Sequence, residues 1–392
     1  MELVNIDNKI NYTLENATYY SDNMNNVYLT TPLNKFNNFV KRYLIDRAVS
    51  GFVKPRVMDL ATGKFGDLYN FANAGVNTLV GIEIGYDGLT NPNDGAATRM
   101  IQQSKVLQSV AKLATRTMLI VGNTTKNIAN GDCVRDNLNK YYLDVLYGRA
   151  KGNTSKLKKM EGVANDGFDC ITCMYAIHYM LNNEKELDNF LRNVSENLLD
   201  QGYFIGTCLD GITILKEMGS KSEIKGIIKD KTVFLIRKIA NDTDTGIDID
   251  TGIDTDTGID TGHNARKAIN KLKKKQALEL EHKDSKDIKD GKDGTQYDND
   301  NITVGNKIMV YFEKFAGEFS ENLVNMSYLS VKAKLHNLKL IEYRKFLDEP
   351  GNMLSQFDSI DKENAKNITN SETLTTWAKF NAYFIFQKVR EN

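Results

Sequence analysis

The sequence predicts a doubly wound α/β domain built on a mostly parallel sheet, and three observations carry that expectation. Short β-rich runs alternate with helix-like stretches along most of the chain. The run "RVMDLATG" breaks into a glycine-bearing turn that leads into a helix. The next run, "TLVGIEI", ends in an acid, which places a carboxylate at the carboxyl edge of a neighbouring strand.

The elements follow in order. Residues 1–31 are polar and Asn-rich, and read as a loosely packed arm. From Pro32, "PLNKFNNFVKRYLIDRAV" puts Phe36, Phe39, Val40, Tyr43, Leu44 and Ala48 on one helical face. Five strands are then expected in "RVMDLATG", "TLVGIEI", "TMLIVGN", "FDCITCMYAI" and "GYFIGTCLDG". Between them lie helix-like stretches such as "PNDGAATRMIQQSKVLQSVAKLA" and "EKELDNFLRNVSENLL". The core's first part, 32–240, closes after "TVFLIRKIA". Residues 241–301 break the composition. A repeated D-T-G-I-D unit opens this segment, and it lacks the long, glycine-dense nonapeptides of a calcium-binding β-roll, so it reads as a flexible acidic spacer. A lysine-rich tract with no apolar face follows and reads as a solvated run. Globular pattern resumes over 302–392 and ends in the strand "AYFIFQKV", so the insertion interrupts one domain.

Composition excludes several classes. At 392 residues the chain has 41% apolar and 26% charged residues, ordinary values for a globular protein. Lys+Arg and Asp+Glu balance at 51 each, which gives no whole-chain grip on nucleic acid but leaves room for a local basic groove. The first residues carry acids and no apolar core, unlike a signal peptide, and no apolar run approaches the roughly 20 residues of a membrane span. A soluble, intracellular protein is expected. Cys170 and Cys173 form a C-x-x-C, but on a strand residues three apart face opposite ways, so the two read as buried apolar cysteines and no metal site is expected.

The strand ends carry the chemistry. Asp59 ends a buried strand, and Gly63 and Gly66 open a turn whose following helix would aim its N–H groups at the crevice. Glu83 could accept two hydrogen bonds from a ribose diol. By itself this pattern fits a generic Rossmann turn with a surface acid equally well. No G-x-x-x-x-G-K-[ST] and no G-x-G-x-x-G is present, which argues against a P-loop and a standard dinucleotide site.

"NKFNNFVKRYLI", "DLATGKFGDL", "GIEIGYDGLTNPNDGAATRM", "YAIHYML", "GYFIGTCLDG" and "FSENLVN" occur in that order. Together they resemble the mRNA cap (guanine-N7) methyltransferase family, especially the form found in capping enzymes of large DNA viruses. The resemblance covers roughly 33–240 and 302–389. It implies a Rossmann-like class I S-adenosylmethionine-dependent methyltransferase fold with a low-complexity insertion. It also implies methyl transfer from S-adenosylmethionine to N7 of the guanosine cap of mRNA. On the cofactor side it assigns Lys41 to the methionine carboxylate, and Asp59, Ala61, Gly63 and Asp67 to the walls of the pocket. Glu83 would hold the ribose, Asn123 the adenine amino group, and Met174 would stand where the family often has Gln. On the cap side it assigns Asn37 and Asn38 ahead of Lys41, Lys64 and Arg99 to the phosphates, and Tyr175, His178 and Tyr179 to the guanine pocket. Glu321 would read guanine, and Asn381 and Tyr383 lie near the place where an aromatic often stacks on the base. Read one by one, Lys41 and Arg99 are equally solvated helix charges, and His178 and Tyr179 equally packed core residues.

The reaction class fits what is missing. Guanine N7 is an unprotonated nucleophile and the sulfonium methyl is already activated, so no general base, metal or covalent nucleophile is required. The implied partners are the capped 5′ end of mRNA, capping subunits with triphosphatase and guanylyltransferase activity on other chains, and the transcription machinery. The family loop usually reads D-L-x-C-G-K-G-G-D-L. Thr62 replaces its Cys and Phe65 one of its glycines. If that glycine has positive φ, Phe65 strains the loop and its ring could fill the crevice. If φ is negative, the ring can enter the helix–sheet interface. A second reading follows: a methyltransferase-fold subunit of reduced activity that binds or stimulates other capping proteins.

Overall fold

β-branched and apolar residues make continuous buried runs in the five expected strands, and each run forms its strand. In the computed structural model these are β1 (Arg56–Leu60), β2 (Thr78–Glu83), β3 (Thr117–Val121), β4 (Phe168–Met174) and β5 (Leu198–Leu209). Residues 28–239, 302–315 and 317–390 are described, and they fall in one unit. The expected polar arm, the D-T-G-I-D tract and the lysine-rich tract lie outside the described residues, apart from the arm's last few positions. No helix among the described residues is long and apolar enough to cross a membrane.

Among the described residues six further strands follow in two groups. β6 (Glu223–Ile228), β7 (Lys231–Lys238), β8 (Lys307–Phe312) and β9 (Glu318–Asn322) make a small antiparallel sheet in chain order. β10 (Leu338–Lys345) and β11 (Asn381–Lys388) complete the large sheet, whose order is β10-β11-β5-β4-β1-β2-β3. Strands β1 to β5 pair in parallel, and β11 enters antiparallel between β5 and β10. The strand order reverses at β1: the chain moves outward through β2 and β3, then returns to β4 on β1's other side. A crevice at such a reversal, outside the carboxyl ends of the strands, is where open α/β sheets of the Rossmann type take their ligands.

Two apolar layers cover the sheet. One joins Val57, Leu79, Cys170 and Ile205 to Phe36, Val40 and Leu44 of the helix Thr31–Val49. The other joins Met58, Val80, Ile171, Cys173 and Phe204 to Leu187, Phe190 and Leu191 of the helix Glu184–Asn197. Cys170 and Cys173 thus sit on opposite faces, as the strand period requires, and all four thiols are buried and unbridged.

The small sheet explains how a long insertion leaves the fold whole. β7 and β8 are hydrogen-bonded neighbours, with Lys238 paired to Ile308, so the insertion leaves and re-enters at adjacent points. One expected helix divides. The stretch from Pro92 to Ala114 forms Ala96–Ser104 and Gln108–Ala114, with extended backbone at Leu107 between them. The break lets Val110 and Leu113 turn onto the core beside Phe71.

Candidate functional site

Strand register first places Asp59. It sits between Gly81 of β2 and Thr172 of β4. The Thr172 hydroxyl donates to its carboxylate at 2.6 Å, and the chain folds back so that the Thr62 hydroxyl donates at 2.9 Å. A Cβ on Gly81 would lie 2.7 Å from the Thr62 oxygen, so this strand position must be glycine for the loop to close. Burial pushes the Asp59 carboxyl up to about 7 against the hydroxyl bonds that favour its ionised form. Asp59 therefore knots the loop to β1 and β4 through its partners.

The loop itself is wound in the left-handed region at alternate residues: Ala61 has φ 64°, Gly63 56° and Phe65 62°. Across the crevice, Tyr175 just past β4 has φ 55°. Backbone held in such sparsely populated regions gathers at ligand sites. Phe65 combines the two expectations stated for it. Its φ is positive, so the backbone is strained, but its ring is 1% exposed and packs with Leu68 and Phe71 beneath the loop. Replacing Phe65 by glycine relieves about 1–2 kcal/mol of left-handed strain and removes a buried ring worth about 3–5 kcal/mol. The expected result is a net loss of about 2 kcal/mol, read as a lower urea midpoint.

Glu83 at the end of β2 reaches across to this loop. One carboxylate oxygen accepts the Gly63 N–H at 2.7 Å and the other the Gly85 N–H at 2.8 Å. Burial raises its pKa while these N–H groups oppose the rise. A carboxylate has about four acceptor positions, so the two bonds leave room for a diol. Gly63 faces open space, since a Cβ there would meet nothing within 4 Å. Lys41, from the helix Thr31–Val49, lies on the loop's other side and pairs with both oxygens of Asp67 at 2.8 and 3.0 Å. Asn70 fixes Asp67 at 2.9 Å. This partly buried pair sets an ammonium beside a carboxylate, the charge pattern that complements a zwitterionic amino-acid group.

The remaining positions are less uniform. Asn123 is folded into a local turn in which its side-chain oxygen accepts from the Thr125 N–H and hydroxyl, at 2.9 and 2.8 Å. The Met174 sulfur takes a weak bond from the Thr207 hydroxyl. The Tyr175 hydroxyl donates to Asn381 of β11 at 2.9 Å, while the Tyr383 hydroxyl turns to Glu342 at 2.6 Å in the other direction. Lys64 is almost wholly buried and grips both oxygens of Asp94 at 2.7 and 2.9 Å. Arg99, in the first turn of the helix that follows, makes no ion pair with a described residue. Asn37 is half-buried and Asn38 exposed.

A small cavity of about 10 Å³ forms where the segment after β4 meets β9. His178 and Glu321 are both buried, at 6% and 7% exposure, with His178 Nε2 3.9 Å from Glu321 Oε1. Leu209, Ile214, Leu323 and Val324 complete an apolar lining. Burial pushes the imidazole down to about 3 and the carboxyl up to about 7. His178 Nε2 has no hydrogen-bond partner among the described residues. The Tyr179 ring lies 3.9 Å from that of His178. The structure thus brings Asp59, Gly63, Glu83, Lys41 and Asp67 to one loop, and His178 and Glu321 to one pocket. The sequence reading missed Thr62, Thr172 and Asp94 as their supports. Only the N-D-G ahead of a helix signalled Asp94, and nothing local signals Thr172, whose partner is on another strand.

A family model described as the mRNA (guanine-N(7))-methyltransferase domain matches residues 13–230. A probable mRNA-capping enzyme of Acanthamoeba polyphaga mimivirus is 29% identical over 238 residues, 59% of this chain and 19% of that protein. The mRNA cap guanine-N(7) methyltransferase 1 of Arabidopsis thaliana is 28% identical over 207 residues, 52% of this chain and 45% of its own. The Saccharomyces cerevisiae mRNA cap guanine-N(7) methyltransferase is 27% identical over 188 residues, 45% of this chain and 32% of its own. The chain thus spans less than half the length of these relatives.

Proposed function

This chain belongs to the mRNA (guanine-N(7))-methyltransferase domain family, and on that premise we propose that it transfers the methyl group of S-adenosylmethionine to N7 of the guanosine that caps mRNA. The observation that carries the proposal is the buried meeting of Glu321 with His178 beside the carboxyl end of β4. A carboxylate only accepts, and the N1–H and N2–H₂ edge of guanine only donates, so Glu321 selects guanine over adenine by polarity alone.

S-Adenosylmethionine, when bound, supplies a sulfonium methyl that needs no further activation. The residues at the switch point fit such a ligand. Glu83 would hold the ribose diol while keeping the loop closed through Gly63. Lys41 and Asp67 would meet the zwitterionic end with matched charges. At Glu321 the guanine would be held by its N1–H and N2–H₂ edge, which leaves N7, on the five-membered ring, free to react. Positive charge appears on the base as the methyl arrives, and an ionised carboxylate in a poorly solvated pocket favours that charge. No proton has to leave, which agrees with His178 being held neutral by burial. Lys64 and Arg99 would meet the cap phosphates, Lys64 by exchanging Asp94 for phosphate oxygen. The other capping activities, and association with their carriers or with transcription machinery, belong to the same proposal.

The alternative of a non-catalytic capping subunit rested on Phe65 filling the crevice and on Asn123 standing where the family commonly has an acid, and the Asn123 oxygen is already taken up by Thr125. The Phe65 ring lies in the core, which leaves that reading without its steric argument. Purified protein is expected to bind S-adenosylhomocysteine in calorimetry and to convert guanosine-capped RNA to its N7-methylated form. Binding without N7 product would point to another acceptor. No binding by the folded protein would sink the enzymatic reading.

A further inference from the structure

The hairpin of β8 and β9 holds Glu321 near one end, opposite Ile308. Lys314 follows β8 at the other end, and from Ile308 to Lys314 the chain extends at most about 20 Å. None of the roles above involves Lys314. Its neighbour Glu313 ties this end of the hairpin to the start of the helix Thr31–Val49. The Glu313 carboxylate accepts the Leu29 N–H at 3.2 Å, and the Thr30 N–H and hydroxyl both at 2.9 Å. Thr30 is buried, so water competes little for these bonds. Beside them the Lys314 ammonium lies 5.6 Å from the centre of the Tyr28 ring, within cation–π range.

The helix so anchored also carries Lys41. Asn38 lies one turn earlier on the same face and is exposed, so that face is open to solvent there. Lys314 is half-buried beside the helix and makes no ion pair with a described residue. Burial lowers its pKa, and the Lys41 ammonium lowers it further against the opposing pull of Glu313. Glu313 is a poor counter-charge, because its oxygens are given to Leu29 and Thr30. Two ammonium groups thus share one crevice edge, and only Lys41 has a carboxylate of its own, that of Asp67.

The charges at Lys41 are already matched. A zwitterionic amino-acid group brings one charge of each sign to the pair of Lys41 and Asp67, which leaves Lys314 over. The group that suits it is an anion with no cation of its own. Phosphate is such an anion, and a capped RNA brings those of the cap bridge and one more with each nucleotide beyond it. We propose that Lys314 binds a phosphate of the capped RNA, along the path the chain takes as it leaves the guanosine at Glu321. The inference rests on the guanine reading of Glu321 given above, and adds to Lys64 and Arg99 a cation supplied by the small sheet.

The test titrates a cap dinucleotide and a capped hexanucleotide into the full chain loaded with S-adenosylhomocysteine, at several salt concentrations. For a single strand, the logarithm of the binding constant falls with the logarithm of salt by about 0.7 per phosphate contact. Lys314→Met keeps the length and loses the charge. It should bind the capped hexanucleotide about fivefold more weakly, with a slope shallower by about 0.7. Lys314→Gln serves as a second neutral variant, Lys314→Arg should keep the wild-type slope, and unchanged S-adenosylhomocysteine binding reports that each is folded. The dinucleotide locates the phosphate. The same change there assigns it to the cap bridge, and a change confined to the hexanucleotide assigns it to the transcript. Neutral variants with the wild-type slope for both ligands overturn the proposal, whatever their affinity. A loss that falls on S-adenosylhomocysteine and spares capped RNA also overturns it, since the ammonium then serves the cofactor's carboxylate. If the wild type binds S-adenosylhomocysteine but neither capped ligand, the guanine reading itself fails and takes this inference with it.

Discussion

Glu321→Gln should lower kcat/KM for capped RNA by about 100-fold or more while the protein stays folded and binds S-adenosylhomocysteine normally. The substitution keeps the shape of the side chain but turns one acceptor into a donor facing guanine's donor edge. Inside a pocket shielded by His178, Ile214 and Leu323 that mismatch cannot be relieved by water. The same residue sets a pH dependence. Burial has pushed its carboxyl up to about 7, and only the ionised form can accept both guanine donors. In the wild type, kcat/KM should fall by about tenfold per pH unit below that value, and Glu321→Gln should lose this limb of the profile. Stability runs the opposite way. Between the ordinary carboxylate value of 4.5 and about 7 the folded chain holds a proton that the unfolded chain releases, so the ligand-free protein is less stable as pH rises through that window. Asp59 adds the same sign between 3.8 and about 7, while His178, held down to about 3, opposes both below its ordinary value of 6.5, so the net fall is steepest between 6.5 and about 7. Calorimetric melting from pH 5 to 8 should show a falling Tm, with a shallower fall in Glu321→Gln. A wild-type rate that is flat from pH 6 to 8 would count against the role given to Glu321.

Glu83→Ala should weaken S-adenosylhomocysteine binding by about 100-fold. The loss has two parts. The ribose loses its acceptor, and the Gly63 and Gly85 N–H groups lose the carboxylate that holds the loop to β2. Glu83→Gln separates them, because one amide oxygen can still serve either a loop N–H or the diol but not all of them. An intermediate affinity is expected for it. Titration calorimetry on the two variants reads the difference, and an alanine variant within about threefold of wild type would remove the ribose from this end of β2.

The large sheet was legible because its signals are local. A buried parallel strand is a short apolar run, the glycines of the turn after β1 interrupt one, and both lie within a dozen residues of each other. The same holds for the helix Thr31–Val49, whose apolar positions repeat at the helical period. The small sheet was not legible. β6 and β7 are joined by Lys229 and Asp230, both left-handed, with no Asn-Gly or Gly-Gly to announce a hairpin. β7 then pairs with β8 across the whole insertion, so neither strand signals its partner.

The site divides along the same line. The order of its motifs and the chemical types at Lys41, Gly63, Asp67, Glu83, His178 and Glu321 can be read from the chain alone, because a residue's donors, acceptors and charge are its own. Which of them touch cannot. Only the fold brought His178 to Glu321 and gave Lys64 to Asp94. Phe65 shows the difference within one residue. Sequence established that a ring stands where glycine is usual, whereas the closure of the loop against β2 decided its φ, and the packing of Leu68 and Phe71 decided that the ring turns inward. Pattern and chemistry are local properties of the chain. Distance, burial and the pairing of buried charges arise only when segments remote in sequence share one low-dielectric interior.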